Sequence, residues 1–465
     1  MTITARRPES GQDAAAVVRD LRMVHNSGHT RNLQWRLVQL ENITRLVDNE
    51  EAAIAEALEA DLGRNAVECW LGEIASTKGE AEYARKNLRR WMRRKRTGLP
   101  LTLRPGNAWI QYEPLGVVLI VGPWNYPVYL TLGPLVAAVA AGNCAVIKPS
   151  EHAPRTSALL AELIPTYLDS SAVRVVEGDA SVTQELLGTG VDHVLFTGGT
   201  EVGRHIMAGA APTLTPVTLE LGGKSPALVA SDADLGVVAR RLLWVKLMNS
   251  GQTCIAPDYV LVQREVRDAL VEKLKAVTQE FRVGQRPAMR IVNDRQFRRL
   301  AGYLEATEGE IVLGGGIDES ALSIEPTIVV EPSLDEPLMQ EEIFGPILPI
   351  IGVDSLEDDA VHLVNSRSKP LAVYVFTKSN RRARALIDRM PAGGAVINHV
   401  AMHCMVPNLP FGGVGASGMG AYHGRWGFEA MSHRKSVLSQ SLWPDLKFMY
   451  PPYSDRALKL FRRMF

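Results

Sequence analysis

Cysteine is scarce in this chain. Its 465 residues include Cys69, Cys144, Cys254 and Cys404, far apart and with no CxxC pair. Neither a zinc cluster nor a disulfide framework is expected, no bound metal is expected, and a reducing cytoplasm suits such thiols. Long apolar runs are missing as well. The longest, residues 128–141, is interrupted by Gly133 and Pro134 and falls short of the roughly 20 residues needed to span a bilayer. Residues 1–20 are polar and charged, unlike a signal peptide. There is no excess of either charge: Lys and Arg number 51, Asp and Glu 51, so no general attraction to nucleic acid is expected. The GxGxxG fingerprint of dinucleotide folds is also absent.

What is present is a chain long enough for two or three domains. Apolar residues at helical spacing predict a helix over 33–62, stopped by Gly63, and a second from Glu68 to about Arg96, ending in the basic run RKNLRRWMRRKR. Short apolar runs at 116–121, 144–147, 173–176 and 193–196 read as buried parallel strands. They are separated by helical segments at 130–141, 156–168 and 182–187. The alternation resumes after Gly222, with strands at 226–229, 259–262 and 371–376 and helices at 235–248 and 264–281. A short strand at 109–112 stands apart. The fold class is therefore α/β, with two parallel-sheet units meeting near Glu220-Leu221-Gly222.

Six segments carry chemistry. In Asn249-Ser250-Gly251-Gln252-Thr253-Cys254 a cysteine follows a helix and a glycine turn. Flanking amides or a cation that lowered its pKa would make it a thiolate nucleophile, although an isolated cysteine is usually a small buried apolar residue. In LELGGKSP, Glu220 lies between two leucines. Partial burial would raise its pKa and suit it to general-base work; a strand-end glutamate pointing into water is the plainer alternative. In Gly122-Pro123-Trp124-Asn125-Tyr126-Pro127, rigid prolines follow a strand, where open α/β sheets bind ligands, and the Asn125 amide could hold an oxyanion or simply bond its own turn. FTGGTEVG follows a strand and opens a helix, so the amides of Thr197, Gly198 and Gly199, with Gly203 a turn later, could meet a pyrophosphate. Lys148 and Glu151 in IKPSE could grip a ribose or adenosine phosphate, or belong to a surface loop. In EEIFGP, Glu342 could pair with a ribose hydroxyl while Phe344 packs beside a nicotinamide, or the segment could start a strand.

Singly these are weak. Together, PWNYP, IKPSE, FTGGTEVG, LELGGKSP, NSGQTC and EEIFGP occur in the order found in the aldehyde dehydrogenase superfamily. The resemblance spans about residues 33–451. The short N-terminus, GQTC followed by IAPDY, LPFGGVG and SGMGAYHG resemble the class 3 branch, which includes the fatty aldehyde dehydrogenases. The resemblance implies oxidation of aldehydes, hydrophobic aliphatic or aromatic ones, to acids with NAD, NADP being kept open. It assigns Cys254 as nucleophile, Asn125 as oxyanion donor, and Glu220 as the base that hydrolyses the thioester. It also places Lys148, Glu151, Thr197, Gly198, Gly199, Gly203, Glu342 and Phe344 around the cofactor. Gly199 departs from the serine usual there, which removes a side-chain hydrogen bond to phosphate. Glu151 would repel the extra phosphate of NADP.

The implied organisation is a Rossmann-like NAD(P)-binding domain (1–97 and 114–220), a catalytic domain (221–430) and a small β bridging and oligomerisation unit (98–113 and 431–452), through which such proteins form homodimers. A tail helix follows (453–465). Leu458, Phe461 and Phe465 share one face of it and Lys459, Arg462 and Arg463 lie elsewhere, so it is basic and amphipathic, able to lie on a membrane or to cover a substrate entrance. The expected location is cytoplasmic, with peripheral membrane contact through this helix. The basic run at 85–96 reads as a solvated helix face. Two rival readings use the same residues: a thiol esterase or acyl-transfer enzyme, and an inactive dinucleotide-binding scaffold.

Overall fold

The computed structural model describes residues 13–282 and 289–464. Two large sheets dominate it. In the first, five strands run parallel in the order Val217–Glu220, His193–Thr197, Val117–Val121, Cys144–Lys148, Val173–Val175, and a short antiparallel strand, Gly418–Met419, closes the edge beside Glu220. The strands are mostly apolar along their length because both faces are covered, with polar residues such as Lys148, Thr197 and Glu220 at their carboxyl ends. Val118, Ile120, Ala145, Ile147 and Leu195 enter one core with helices Leu33–Asn49, Tyr129–Ala141 and Pro154–Tyr167. Val117, Leu119, Val146, Val194 and Phe196 face the other way, onto Val18, Leu21, Leu186 and Ile206.

Strand order reverses at Val117–Val121. The two following strands lie to one side of it, whereas His193–Thr197 and Val217–Glu220 lie to the other. Open α/β sheets bind ligands outside the carboxyl ends of their strands at such a point. The register places the strand ends level: Val121 opposes Lys148 and Phe196, and Thr197 opposes Glu220. Four of the six segments singled out in the sequence therefore leave the sheet at one edge.

The second sheet has seven strands, in the order Glu310–Leu313, Thr327–Val330, Ile347–Val353, Tyr259–Gln263, Pro226–Val229, Ala372–Phe376, Gly394–Ile397, with only the first pair antiparallel. Its inner face shares a core with the first sheet: Ala227, Val260, Ile350 and Tyr374 join the cluster that holds Ile120 and Ile147. A third, antiparallel sheet joins Lys95–Thr97, Gly106–Pro114 and Ser432–Gln440.

The two long helices expected near the N-terminus are each broken. The first divides at Glu50 into Leu33–Asn49 and Glu51–Leu62, and Gly63 ends the second part at φ 72°. Val47 and Ile54 are seven residues apart, a spacing a continuous helix would share, so periodicity hides the break. The second begins as Ala66–Cys69, passes through a π turn at Trp70–Ile74, and ends at Trp91. The basic run is helical only as far as Trp91; beyond it Lys95–Thr97 pairs with Gly106–Pro114, because a run of like charge has no apolar period to continue and a neighbouring strand offers hydrogen bonds. The strand expected at 109–112 extends over Gly106–Pro114.

The tail forms a helix, Asp455–Met464. Its Phe461 packs near Phe448 and Tyr453, with ring centroids 5.9 and 6.3 Å away, while Leu458 and Leu460 stand exposed. Phe465 lies outside the described residues. Among the described residues no helix is long and apolar enough to cross a membrane.

Candidate active site

Cys254 lies just beyond a turn built on strained backbone. Asn249 and Ser250 adopt φ 50° and 51°, and Gly251 φ 72°. A side chain at Gly251 would collide with the carbonyl of Gly345, so glycine lets the thiol turn press against the EEIFGP loop. In that loop Phe344 also has positive φ, 49°, a conformation that is an outlier for a bulky residue. Three left-handed non-glycine residues at one place are a local cost that the surrounding bonds must hold in place.

Those bonds are present. Asn249 Nδ2 donates to the carbonyls of Asn125 and Gln252, both at 3.0 Å. Asn125 Nδ2 donates to Gln252 O at 3.1 Å, which ties the side chain expected to face an oxyanion to a carbonyl two residues before Cys254. Tyr126 Oη and Thr253 Oγ1 are 2.8 Å apart. Behind the thiol, Tyr374 Oη donates to Ile255 O at 2.5 Å. Lys224 of LELGGKSP bonds Asp258, and Asp258 Oδ1 accepts from Ile343 N at 2.9 Å. Arg299 holds the carbonyls of Glu342 and Ile343 at 3.0 and 2.8 Å. LELGGKSP, the residues after NSGQTC and EEIFGP are thus stapled together.

Cys254 keeps some surface open to solvent. Its thiol is nevertheless pushed far up, first by burial, then by the neighbouring Glu342, Glu220 and Cys404; its own backbone N–H opposes this weakly. None of these leading influences is a cation. The lowering by amides or a cation that the sequence left open is opposed here by burial and by the carboxyls of Glu342 and Glu220. Glu220 is 3% exposed, neither carboxyl oxygen has a hydrogen-bond partner among the described residues, and burial raises it well above the usual carboxylate range. Once ionised, such a carboxylate is a stronger base than one in water. Glu342 is raised to about 8, by burial and then by Asp258, against the N–H of Gly223 and the charges of Lys224 and Arg299.

The remaining expected residues line the sheet edge or pack behind it. Lys148, buried, bonds Glu151 Oε2 at 2.5 Å. Burial alone would raise Glu151, but the bond and charge of Lys148, with a backbone N–H, bring it below its ordinary value. Thr197 ends its strand with a buried hydroxyl that has no partner among the described residues. Gly198 lies over the ring of Phe196, which a Cβ would strike. Gly199 precedes helix Thr200–Ala210, and nothing lies within 4 Å of where its Cβ would be. Gly203 sits differently: a Cβ there would be 2.8 Å from Leu221 Cδ2, so its absence of side chain sets how closely helix and strand pack. Phe344 meets Trp124 edge to face, centroids 5.4 Å apart. Trp244 is exposed beside His399, and Phe411 is buried and stacked on His423, ring centroids 5.0 Å apart.

These groups fit a dinucleotide. An orphaned threonine hydroxyl, an unobstructed glycine at a helix start and a Lys–Glu pair stand along the carboxyl edge of the sheet, where phosphates and ribose hydroxyls are ordinarily met. Among the described residues no group of three or more His, Cys, Asp or Glu is arranged to hold a metal.

Sequence reasoning missed Arg64 and Glu73, which are buried beneath Asn125 and Asn249. One signal pointed to Glu73: Cys69, Glu73 and Thr77 recur at four-residue spacing on the buried side of a helix, where a carboxylate needs a partner.

A desolvated thiol and an unpartnered carboxyl beside the ligand-binding edge of a doubly wound sheet define a class: dinucleotide-dependent enzymes that act on a carbonyl through a covalent sulfur adduct. The comparisons agree. The family model described as the aldehyde dehydrogenase family matches residues 9–437. A Rattus norvegicus relative named dimeric NADP-preferring aldehyde dehydrogenase is 45% identical over 442 residues, 94% of this chain and 97% of its own. A solved structure of the substrate-bound state of Staphylococcus aureus AldH superposes with TM-score 0.93 at 40% identity, covering 97% of this chain and 99% of the other. The betaine aldehyde dehydrogenase of Staphylococcus aureus in complex with NAD+ gives TM-score 0.86 at 26% identity, over 94% and 89% of the two chains. The chain belongs to the aldehyde dehydrogenase family. It is an NAD(P)-dependent enzyme that oxidises aldehydes to carboxylic acids.

Proposed function

We propose that the enzyme oxidises hydrophobic aliphatic or aromatic aldehydes through Cys254, with Asn125 and Glu220 as its partners. The observation that carries this reading is the pairing of a reachable thiol with a buried carboxyl whose oxygens have no partner. The sulfur of Cys254, once ionised, adds to the aldehyde carbon and forms a thiohemiacetal. One N–H of the Asn125 amide is committed to Gln252 O, and the other, with the backbone N–H of Cys254, meets the new oxyanion. Such a donor is worth about 2.7–4 kcal/mol in the transition state. The chemistry supplied by bound NAD(P) is acceptance of a hydride. Oxidised at that carbon, the adduct on Cys254 is a thioester. Glu220 takes a proton from water as the water attacks the thioester, and Cys254 leaves as the acid is released.

Lys148 and Glu151 would hold the adenosine ribose, Thr197, Gly198 and Gly199 the pyrophosphate, and Glu342 and Phe344 the nicotinamide ribose and ring. Gly203 would act by letting its helix lie close to the sheet. NAD is preferred on the charge of Glu151, but the bond to Lys148 offsets part of that charge, and the rat relative is named NADP-preferring; NADP is therefore used as well. The domain division is the one given by the sequence, with Lys95–Thr97 added to the bridging unit and Gly418–Met419 to the edge of the cofactor sheet. We propose a homodimer formed through the small sheet. Support comes from the nine-residue strand Ser432–Gln440, which among the described residues has one neighbour, Gly106–Pro114, from Leu442 and Trp443, exposed at 95% and 81%, and from the relative named as dimeric. Cytoplasmic location, with membrane contact through the tail helix, remains part of this proposal, supported by exposed Leu458 and Leu460 beside Arg462 and Arg463.

The test is a panel of aldehydes of rising chain length, with aromatic ones, given to purified protein with NAD or NADP. Reduced nicotinamide should form fastest with the hydrophobic members. Preference for small hydrophilic aldehydes would overturn the substrate assignment.

A further inference from the structure

Arg64 lies outside all six segments, two residues past helix Glu51–Leu62. Its side chain is 1% exposed, and that of Glu73 0%. Each part of the guanidinium has its own acceptor. Nε donates to Asn249 Oδ1 at 3.1 Å, Nη1 to Glu73 Oε1 at 2.5 Å, and Nη2 to the carbonyl of Asn125. The group also lies over the Tyr126 ring, 4.2 Å from its centroid. Glu73 uses its other oxygen on the N–H groups of Val128 and Tyr129, at 3.1 and 2.7 Å. One buried ion pair therefore grips segment 125–129 at both ends.

The local sequence makes room for this. Glu73 is carried on the π turn Trp70–Ile74, an irregularity that often accompanies functional sites. A Cβ at Gly72 would come within 2.9 Å of the Tyr126 ring. The carbonyl of Asn125 receives Arg64 and Asn249, and the side chain of Asn249 also holds Gln252 O. The same Gln252 oxygen receives the Asn125 amide. Arg64 thus fixes the backbone of Asn125 relative to the turn that carries Cys254, and its bonds go to Asn249 Oδ1, Glu73 Oε1 and that backbone carbonyl rather than to a group that meets substrate or cofactor.

We infer that Arg64, held by Glu73, is a positioning residue for the aldehyde step, aiming the Asn125 side-chain amide at the carbon–oxygen bond that Cys254 attacks. The inference rests on the reading of Asn125 as oxyanion donor. The planar fork of arginine suits the role because it reaches three acceptors in fixed directions. A lysine keeps the charge beside Glu73 but not the fork.

The test is a double-mutant cycle on the full-length enzyme, with kcat/KM for aldehyde as the readout. Arg64→Lys and Arg64→Gln should each lower kcat/KM by about tenfold to a hundredfold, the scale of a misplaced catalytic group. The Kd for NAD, measured by fluorescence titration, should stay within about twofold, since a positioning role is confined to the transition state. In an Asn125→Ala background the same substitutions should change kcat/KM by less than about twofold, because residues acting through one another are non-additive. If Arg64→Gln does not fold, Arg64→Lys decides the matter alone. Equal losses in both backgrounds, or lost NAD affinity, would overturn the proposal and leave Arg64 a structural residue. An Asn125→Ala enzyme as active as the unmodified one would instead overturn the reading of Asn125, and this inference with it.

Discussion

Glu220→Gln separates the two halves of the reaction. The carboxyl ends strand Val217–Glu220, is 3% exposed and has no hydrogen-bond partner on either oxygen. Glutamine fills the same space without breaking a bond the protein makes. What it removes is the base, and general-base catalysis contributes about 10²- to 10⁴-fold, so kcat should fall by a factor in that range. Formation of the thioester should survive. Glu220 is one of the charges that hold the Cys254 thiol protonated, so its loss eases ionisation of the sulfur. In stopped flow, mixing enzyme, NAD and aldehyde should give a rapid burst of reduced nicotinamide, close to one per active site, then a slow steady rate. Stability gives an independent sign. Burial raises the folded pKa of Glu220, so its contribution is complete below the unfolded carboxyl value of about 4.3 and is lost as pH rises through the higher folded value. Against the unmodified enzyme, Glu220→Gln should therefore gain thermal stability as pH rises. An unchanged kcat would refute the role of Glu220. A slow rate with no burst would refute its restriction to hydrolysis.

Alkylation of Cys254 by iodoacetamide in the enzyme without cofactor should accelerate with pH along a transition above the value of about 8.5 for a free thiol, and Glu342→Gln should move that transition down, since after burial Glu342 is the charge that opposes the thiolate most. A transition below 8.5, or one indifferent to Glu342, would contradict the electrostatics described here. Glu151→Gln should improve kcat/KM for NADP relative to NAD, by less than an unpaired carboxylate would, because Lys148 already bonds it at 2.5 Å; kinetics with both cofactors measure the ratio, and a fall in it would count against Glu151 at the ribose.

Much of this site was readable in one dimension because its residues sit at strand ends. Val121, Lys148, Thr197 and Glu220 each end a short apolar run, and parallel pairing then brings those ends level without further instruction. The helix–strand alternation was legible for the same reason. What escaped depends on contacts between distant residues. Arg64 and Asn249 are 185 residues apart, and nothing in either neighbourhood names the other. The thiol environment escaped too: NSGQTC suggests amides and a lowered pKa, whereas Glu342 and Glu220 arrive from other segments and oppose the anion. The basic run after Trp91 looked helical because charge carries no period that separates helix from strand. Gly203, placed with the cofactor by its position in FTGGTEVG, also lies against Leu221, a contact that only packing reveals.

The most direct measurement is the mass of the trapped intermediate. Glu220→Gln enzyme, mixed with NAD and an aldehyde and quenched in acid, should yield after proteolysis a peptide containing Cys254 that is heavier by the acyl group of that aldehyde, and Cys254→Ala should yield none and form no reduced nicotinamide. An acyl group on Cys404 or any other residue, or turnover that persists without the Cys254 sulfur, would contradict the account.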